Sequence, residues 1–174
     1  MERVPPKSDT SVIHRVMLEL PQGIKRRLGH VHFCINTDPD WVGMGDGYKY
    51  FSDGRTICGT SHISYGNKVC QPHMTRSSRY TTIFLYGEDV VDQKVILHEL
   101  GHNLLNRLNH EGWRGPSILP LDSYAATCYD EAFATAFQSW ATVEGEDMVY
   151  YHNREVLVRE DKRTAEFFYM LAQN

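Results

Sequence analysis

Two histidines and a glutamate within residues 95–105, VILHELGHNLL, have the types and spacing of a metal site. His98 and His102 are four residues apart, so on a helix their side chains project from nearly the same face. Each imidazole can then offer one nitrogen to a single Zn²⁺ ion. Glu99 lies one step around the helix, where it can reach a water beside the metal as a general base. These residues predict half of a catalytic zinc site, which another part of the chain must complete.

The surroundings of the motif strengthen this interpretation. H-E-x-x-H alone arises by chance in about a few percent of chains of this size and composition. Here it lies in a pattern of helical period that predicts a helix over about residues 89–108, with Asp89 as its N-terminal cap. Two neighbouring histidines on a buried helix face would also cost stability if they had no partner. A helical metal site is therefore favoured over a chance match.

The third ligand has three candidates in the sequence. A metzincin is excluded, because Leu105 and Leu108 stand where that class has a glycine and a histidine. His110 lies at or past the end of the predicted motif helix, where the helix dipole alone favours a histidine. Glu131 begins a second helix among small and aromatic residues, and a carboxylate buried there needs a cation. Glu166 has a similar local setting, so the residues alone leave His110, Glu131 and Glu166 open.

A resemblance separates these candidates. HELGH followed by a glutamate on a second helix resembles the gluzincin metallopeptidases. With SYAATCYDEAFATAF, it resembles more narrowly the catalytic domain of anthrax lethal factor and its relatives, among them the Pro-Pro endopeptidases. In that family the ligand glutamate opens an E-x-F-A-x-x-F helix, and a tyrosine seven residues earlier stabilises the oxyanion. Glu131 and Tyr124 occupy those places, whereas Arg159 stands seven residues before Glu166.

The resemblance, which covers about residues 80–140, implies a metalloendopeptidase with one zinc ion per chain. It implies that zinc-activated water hydrolyses a peptide bond, with Glu99 as general base and Tyr124 at the oxyanion. It also implies that the peptide or protein substrate lies along an edge strand before the motif helix, at residues 81–87, TTIFLYG. The implied zinc ligands are His98, His102 and Glu131.

One position departs from the family pattern. Many gluzincins have an acidic residue four after the ligand glutamate, and it orients the first histidine. This chain has Thr135 there. A hydroxyl can accept a hydrogen bond from imidazole but raises its basicity less. Asp130 and Asp122 are alternative partners.

The order of the predicted elements indicates an α+β fold. Residues 1–10 are expected to be a loose tail, and residues 11–174 a single zincin-like metallopeptidase domain. We expect a small mixed sheet in the front half, then the motif helix, then a helical back half. The predicted segments are a helical stretch over 11–28 broken by Pro21, strands at 30–36 and 80–87, short strands GYKYFS and RTICGT, and helices at 89–108, from Tyr129, and at about 147–172.

Charge and composition exclude some partners. The 174 residues carry a net charge of −4, which gives no reason to expect nucleic acid. No apolar run approaches the roughly 18 residues of a membrane span. The start, MERVPPKSDT, lacks a signal-peptide core, so we expect a cytoplasmic monomer, with release or secretion left open. Cys58 and Cys70 flank a hairpin-like stretch, where a disulfide is an alternative to free thiols.

Two other functions stay open from the sequence. A zinc-binding module without catalysis would close all four metal positions, often with cysteines. Glu99 beside an open position favours catalysis instead. A nucleic-acid-associated zinc protease with His110 as its third ligand would predict a basic surface, which the charge balance does not favour.

Overall fold

The protein is described by a computed structural model for residues 11–35, 59–65, 79–85, 93–145 and 151–174. The helices are α1 Ser11–Glu19, α2 Gln22–Leu28, α3 Gln93–His110, α4 Tyr129–Ala141, α5 Arg154–Glu160 and α6 Lys162–Gln173, with a 3₁₀ turn at Ala125–Thr127 before α4. The strands are β1 Val31–Ile35, β2 Gly59–Tyr65 and β3 Arg79–Leu85.

Helices α3 and α4 form the centre of the described core. Each is buried around most of its circumference, as expected of a helix enclosed by other elements. Phe133 and Phe137, two of the aromatic residues that follow Glu131, are fully buried on α4. Their rings contact Phe168 of α6 with centroid distances of 5.3 and 5.5 Å. This packing confirms that α4 is held in the core, with α3 against it.

The sheet has the order β1-β3-β2, with β3 parallel to β1 and antiparallel to β2. Thr82 of β3, for example, is paired with His32 on one side and with His62 on the other. The prediction of an edge strand for substrate over residues 81–87 is therefore wrong for residues 81–85, and residues 86 and 87 lie outside the described residues. Backbone groups on both sides of β3 are already paired, so no peptide can be added to it.

The predicted α+β fold class is also wrong, because the packed body of the described protein is helical. Of the three strand residues whose side-chain burial the structure describes, Ile83 is buried, whereas Val31 and Phe33 are partly exposed. The sequence predicts a small mixed sheet and a helical stretch over residues 11–28 in the front half. In the structure, α1 and α2 of that half pack onto α3, and α2 also packs onto α6. The three strands form a small sheet beside a mainly helical core.

The helix predicted over 147–172 is two helices in the described part of this segment. Asp161 separates α5 from α6, with the non-helical backbone angles φ −143° and ψ 70°. Its carboxylate accepts hydrogen bonds from the Thr164 amide and hydroxyl and from the Leu119 amide. Asp161 therefore caps α6 and ties the loop before α4 to it.

Several other predictions are settled by these bounds. The break at Pro21, the strand at 30–36 and the helix beginning at Tyr129 are confirmed. The tail at 1–10, the strand GYKYFS, the cap Asp89 and the Cys58–Cys70 pair lie outside the described residues. No helix in the described ranges is both long enough and apolar enough to cross a membrane.

Candidate metal centre

Helix α3 presents both motif histidines toward α4. Their rings lie edge to face, with centroids 4.9 Å apart, as the four-residue spacing predicts. His98 is 6% exposed, and the side chain of His102 is 19% exposed. One side of the pair therefore lies in the core while the other is open to solvent.

A glycine in the motif lets α4 approach closely enough to bring Glu131 to the histidines. A Cβ atom added at Gly101 would lie 2.8 Å from the Cα of Ala134, which is too close for any side chain. Ala134 lies three residues after Glu131 on α4, so this contact sets the distance from the carboxylate to α3. Glycine costs about 1 kcal/mol in a helix relative to alanine. Only glycine allows α3 and α4 to approach this closely, which explains why it stands in the helix despite that cost.

Three ligand atoms converge between the two helices. The Oε2 atom of Glu131 lies 3.0 Å from Nε2 of His98 and 3.4 Å from Nε2 of His102. One ligand atom from each residue lies within 4.8 Å of the others. Ligands about 2.05 Å from a tetrahedral ion are separated by about 3.3 Å. The donor set and its spacing therefore fit zinc, although two imidazoles and a carboxylate also suit other divalent transition metals.

The charges of the site favour an ionised ligand carboxylate. Burial alone would raise the pKa of Glu131, but hydrogen bonds from His102 and His98 outweigh it and hold that pKa well below its usual range. Burial would lower the pKa of His102, and the same hydrogen bond to Glu131 raises it instead. Two imidazoles thus share one anionic oxygen. A metal cation bound between these three atoms would take the place of the protons that now join them.

Glu99 lies beside this group without belonging to it. Its side chain is on the buried part of α3, with only 6% of the residue exposed. Burial raises the pKa of its carboxyl, and the positive charges of His98 and His102 partly oppose that rise. A buried carboxylate of raised basicity next to a metal-ligand group can accept a proton.

Tyr124 also lies near His98, just before the 3₁₀ turn. Its ring centroid is 6.0 Å from that of His98. Burial raises the pKa of the phenol, as do the negative charge of Glu131 and a hydrogen bond to it. The hydroxyl is therefore a protonated donor beside the ligand carboxylate, where the sequence predicts an oxyanion donor.

The other candidate ligands are elsewhere. Glu166 is exposed on α6 and forms an ion pair with Lys162 at 3.7 Å. The backbone of His110 lies eight residues beyond His102 on α3, which is about 12 Å along the helix axis. Within the described ranges, the metal-ligand group contains only His98, His102 and Glu131.

The structure does not form the hydrogen bond suggested for Thr135. Thr135 is fully buried, yet neither its hydroxyl nor Nδ1 of His98 has a partner among the described residues. Asp130 is exposed, and Asp122 binds His152 instead. None of the three candidates orients His98.

The sequence did not predict that Tyr151 and His152 lie near the site. The ring of Tyr151 lies 6.4 Å from that of His98, and His152 binds Asp122 two residues before Tyr124. Neither belongs to a local motif, since both come from the segment before α5. The only signal was compositional, a tyrosine and a histidine side by side.

Comparison with known proteins gives no match: no family model, no curated protein and no solved structure is similar to the chain.

The Gly101–Ala134 contact predicts the effect of enlarging that glycine. Gly101→Ala should weaken zinc binding, because α4 must move away and carry Glu131 with it. Helix propensity alone would stabilise the variant, whereas crowding of this kind typically costs about 1–3 kcal/mol. We expect the free energy of unfolding in a chelator to fall, and the zinc dissociation constant to rise at least tenfold.

Gly23→Ala provides the matched control. A Cβ atom at Gly23 would also meet backbone atoms, those of Leu171 and Ala172, where α2 crosses α6. That contact holds no metal ligand. Gly23→Ala should lower stability and leave zinc affinity unchanged. Equal zinc affinity in wild type and Gly101→Ala would show that this helix spacing does not set the ligand geometry.

Proposed function

We propose that the protein is a zinc-dependent peptidase, a hydrolase of peptide bonds. The proposal rests chiefly on one observation, the buried carboxylate of Glu99 beside a group of three converging ligand atoms. A structural zinc site has no use for such a carboxylate, and it usually closes all four positions with protein ligands. The family resemblance of HELGH and SYAATCYDEAFATAF supports the same reaction.

Each residue has a separate task in this proposal. His98, His102 and Glu131 would hold the ion. A bound zinc ion lowers the pKa of water and polarises a carbonyl group. Glu99 takes a proton from the attacking water and later gives it to the leaving amine. The Tyr124 hydroxyl donates a hydrogen bond to the carbonyl oxygen as negative charge develops there.

The surroundings of the site suit these tasks. Glu99 is buried, so its charge acts in a medium of lower dielectric than water. His102 and Glu131 keep about a fifth of their side-chain surface exposed, which leaves an approach for substrate. A site that is buried at His98 and Glu99 and open to solvent at His102 and Glu131 supports catalysis rather than a closed structural role.

Metal analysis with a peptide cleavage assay tests this proposal. Protein purified without chelator should contain one zinc ion per chain and cleave members of a peptide library. Removal of the metal should abolish cleavage, and added zinc should restore it. A zinc-loaded protein that cleaves no peptide would favour the non-catalytic module.

His110→Ala distinguishes the alternative ligand set. We expect its zinc content and cleavage to equal those of wild type, since His110 lies about two helical turns beyond His102. Loss of zinc in this variant would instead assign His110 as the third ligand.

A further inference from the structure

His152 and Asp122 form a buried imidazole–carboxylate pair next to the turn that carries Tyr124. Nε2 of His152 is 2.7 Å from Oδ2 of Asp122, and the two side chains are only 9% and 10% exposed. Burial would raise the pKa of Asp122, but the hydrogen bond from His152 and those from the Ala125 and Tyr124 amides outweigh it and lower that pKa. The carboxylate is therefore ionised, and the imidazole donates to it.

The other oxygen of this carboxylate organises the turn that carries Tyr124. Oδ1 of Asp122 accepts a hydrogen bond of 2.8 Å from the Ala125 amide. The carbonyl of Asp122 accepts another from the Ala126 amide at 3.1 Å. Tyr124 lies between these anchored positions. Asp122 thus restrains the backbone of the turn from which the Tyr124 ring projects.

His152 connects this turn to the helix that holds the ligand glutamate. Nε2 of Gln138 donates to the carbonyl of His152 at 2.8 Å and to the hydroxyl of Thr142 at 2.8 Å. Gln138 lies two turns after Glu131 on α4 and is fully buried. A continuous path of hydrogen bonds therefore runs from α4 through His152 and Asp122 to the Tyr124 turn.

We propose that Asp122 and His152 form a brace that positions the Tyr124 hydroxyl against the metal centre. The inference rests on the proposed function, since it assigns two positioning residues to that reaction. The hydrogen bonds described above for the brace involve no side-chain atom of His98, His102 or Glu131, so it should act on turnover and not on zinc binding.

The composition of the pair supports a positioning role. An aspartate can cap a turn through backbone amides alone, without a histidine. A buried polar pair is often no more stabilising than apolar residues of the same size, so stability gives little reason to keep one. What His152 adds is a link between the turn and α4. That link holds the oxyanion donor and the ligand carboxylate in one rigid frame, as catalysis by a prearranged donor requires.

A double-mutant cycle tests the brace in the zinc-loaded protein. His152→Leu should lower kcat at least about tenfold, with zinc content and KM near wild type. His152→Gln keeps a donor near the position of Nε2 and should restore most of kcat. In a Tyr124→Phe background, His152→Leu should lower kcat little further, because the group it positions is gone. A loss of kcat as large in that background as in wild type would overturn the proposal.

Two further arms keep the test decisive. If His152→Leu does not fold, His152→Asn replaces it, because its amide is polar but too short to reach Oδ2. Amide exchange at Ala125 is measured in zinc-free protein, where it should speed up in His152→Leu or His152→Asn and stay slow in His152→Gln. Unchanged exchange would overturn the brace even if the wild type cleaves no peptide. Absence of cleavage with accelerated exchange would leave the brace standing and remove the peptidase proposal.

Discussion

Glu99→Gln is expected to retain zinc and to lose peptide hydrolysis by at least about a hundredfold. Glutamine keeps the size and hydrogen-bonding reach of glutamate but accepts no proton at neutral pH. Glu99 lies next to His98 on α3 but outside the group of ligand atoms. The substitution should therefore separate metal binding from chemistry.

The direction in which Glu99→Gln changes the stability of the zinc-free protein can be predicted. Burial raises the folded-state pKa of Glu99 above its usual value. Such a carboxyl group costs stability at pH values above its folded-state pKa, where it must be ionised in the core, and costs nothing well below its unfolded-state pKa. Glutamine removes that cost, so the zinc-free variant should unfold at a temperature no lower than wild type.

The assay compares zinc content, thermal unfolding and kcat in wild type, Glu99→Gln and Glu99→Asp. Aspartate keeps the base but shortens its reach, so its kcat should fall between the other two. Normal cleavage by Glu99→Gln would exclude this residue as the general base and end the proposed mechanism. Loss of zinc together with activity would instead make Glu99 a ligand or a structural residue.

The sequence predicted the relation between His98 and His102 better than the fold, because that relation depends on short-range geometry. Four-residue spacing fixes the relation of His98 to His102 on any helix. Glu131 came from a family pattern, and the structure brings its carboxylate to both histidines. The Gly101–Ala134 contact explains why, but no single residue pattern shows which two helices will touch.

The position of β3 in the sheet and the break between α5 and α6 could not be predicted, because both depend on contacts between residues distant in sequence. Strand β3 has the composition of a strand, yet its position between β1 and β2 depends on pairing across long sequence separations. The split between α5 and α6 depends on Asp161, whose side chain caps one helix and binds a distant loop amide. A signal existed there, because aspartate three residues before threonine can cap a helix, but the charged run around it reads as continuous helix.

The brace shows the same limit at the site itself. Asp122 and His152 are thirty residues apart in sequence. Nothing in the local pattern of either indicates the other. The sequence places Asp122 near Tyr124 and makes it an alternative partner of His98. The structure gives it a different histidine, because the segment before α5 returns to the site.

Glu131→Gln is expected to weaken zinc binding by at least about a hundredfold, since a neutral amide replaces the anionic ligand. Loss of residues that only orient a ligand costs about 10–100-fold in metal affinity, so loss of a ligand's charge should cost at least as much. Nε2 of His98 and Nε2 of His102 lie 3.0 and 3.4 Å from Oε2 of Glu131, and their hydrogen bonds lower the pKa of that carboxyl and favour its ionised form. The amide oxygen of glutamine cannot supply that charge to the ion.

Glu166→Gln is the matched control for this substitution. It makes the same chemical change on an exposed residue of α6 whose ion pair with Lys162 contributes little. Its zinc dissociation constant should equal that of wild type, measured by competition with a chromophoric chelator. Equal zinc affinity in Glu131→Gln and Glu166→Gln would place the third ligand elsewhere in the chain.

Thermal unfolding provides a second, independent measure of the same ligand. A metal that binds only the folded state raises its stability by RT ln(1 + [L]/Kd). Zinc at about a hundred times the wild-type Kd should therefore stabilise wild type by about 2.7 kcal/mol and Glu131→Gln by less than about 0.5 kcal/mol.

Without zinc, Glu131→Gln should be less stable than wild type at neutral pH. The lowered pKa of Glu131 contributes stability above its unfolded-state pKa, and that contribution is lost as the pH falls through its folded-state pKa. The difference between the zinc-free proteins should therefore shrink in acid, whereas the failure to respond to zinc should persist at every pH where wild type responds.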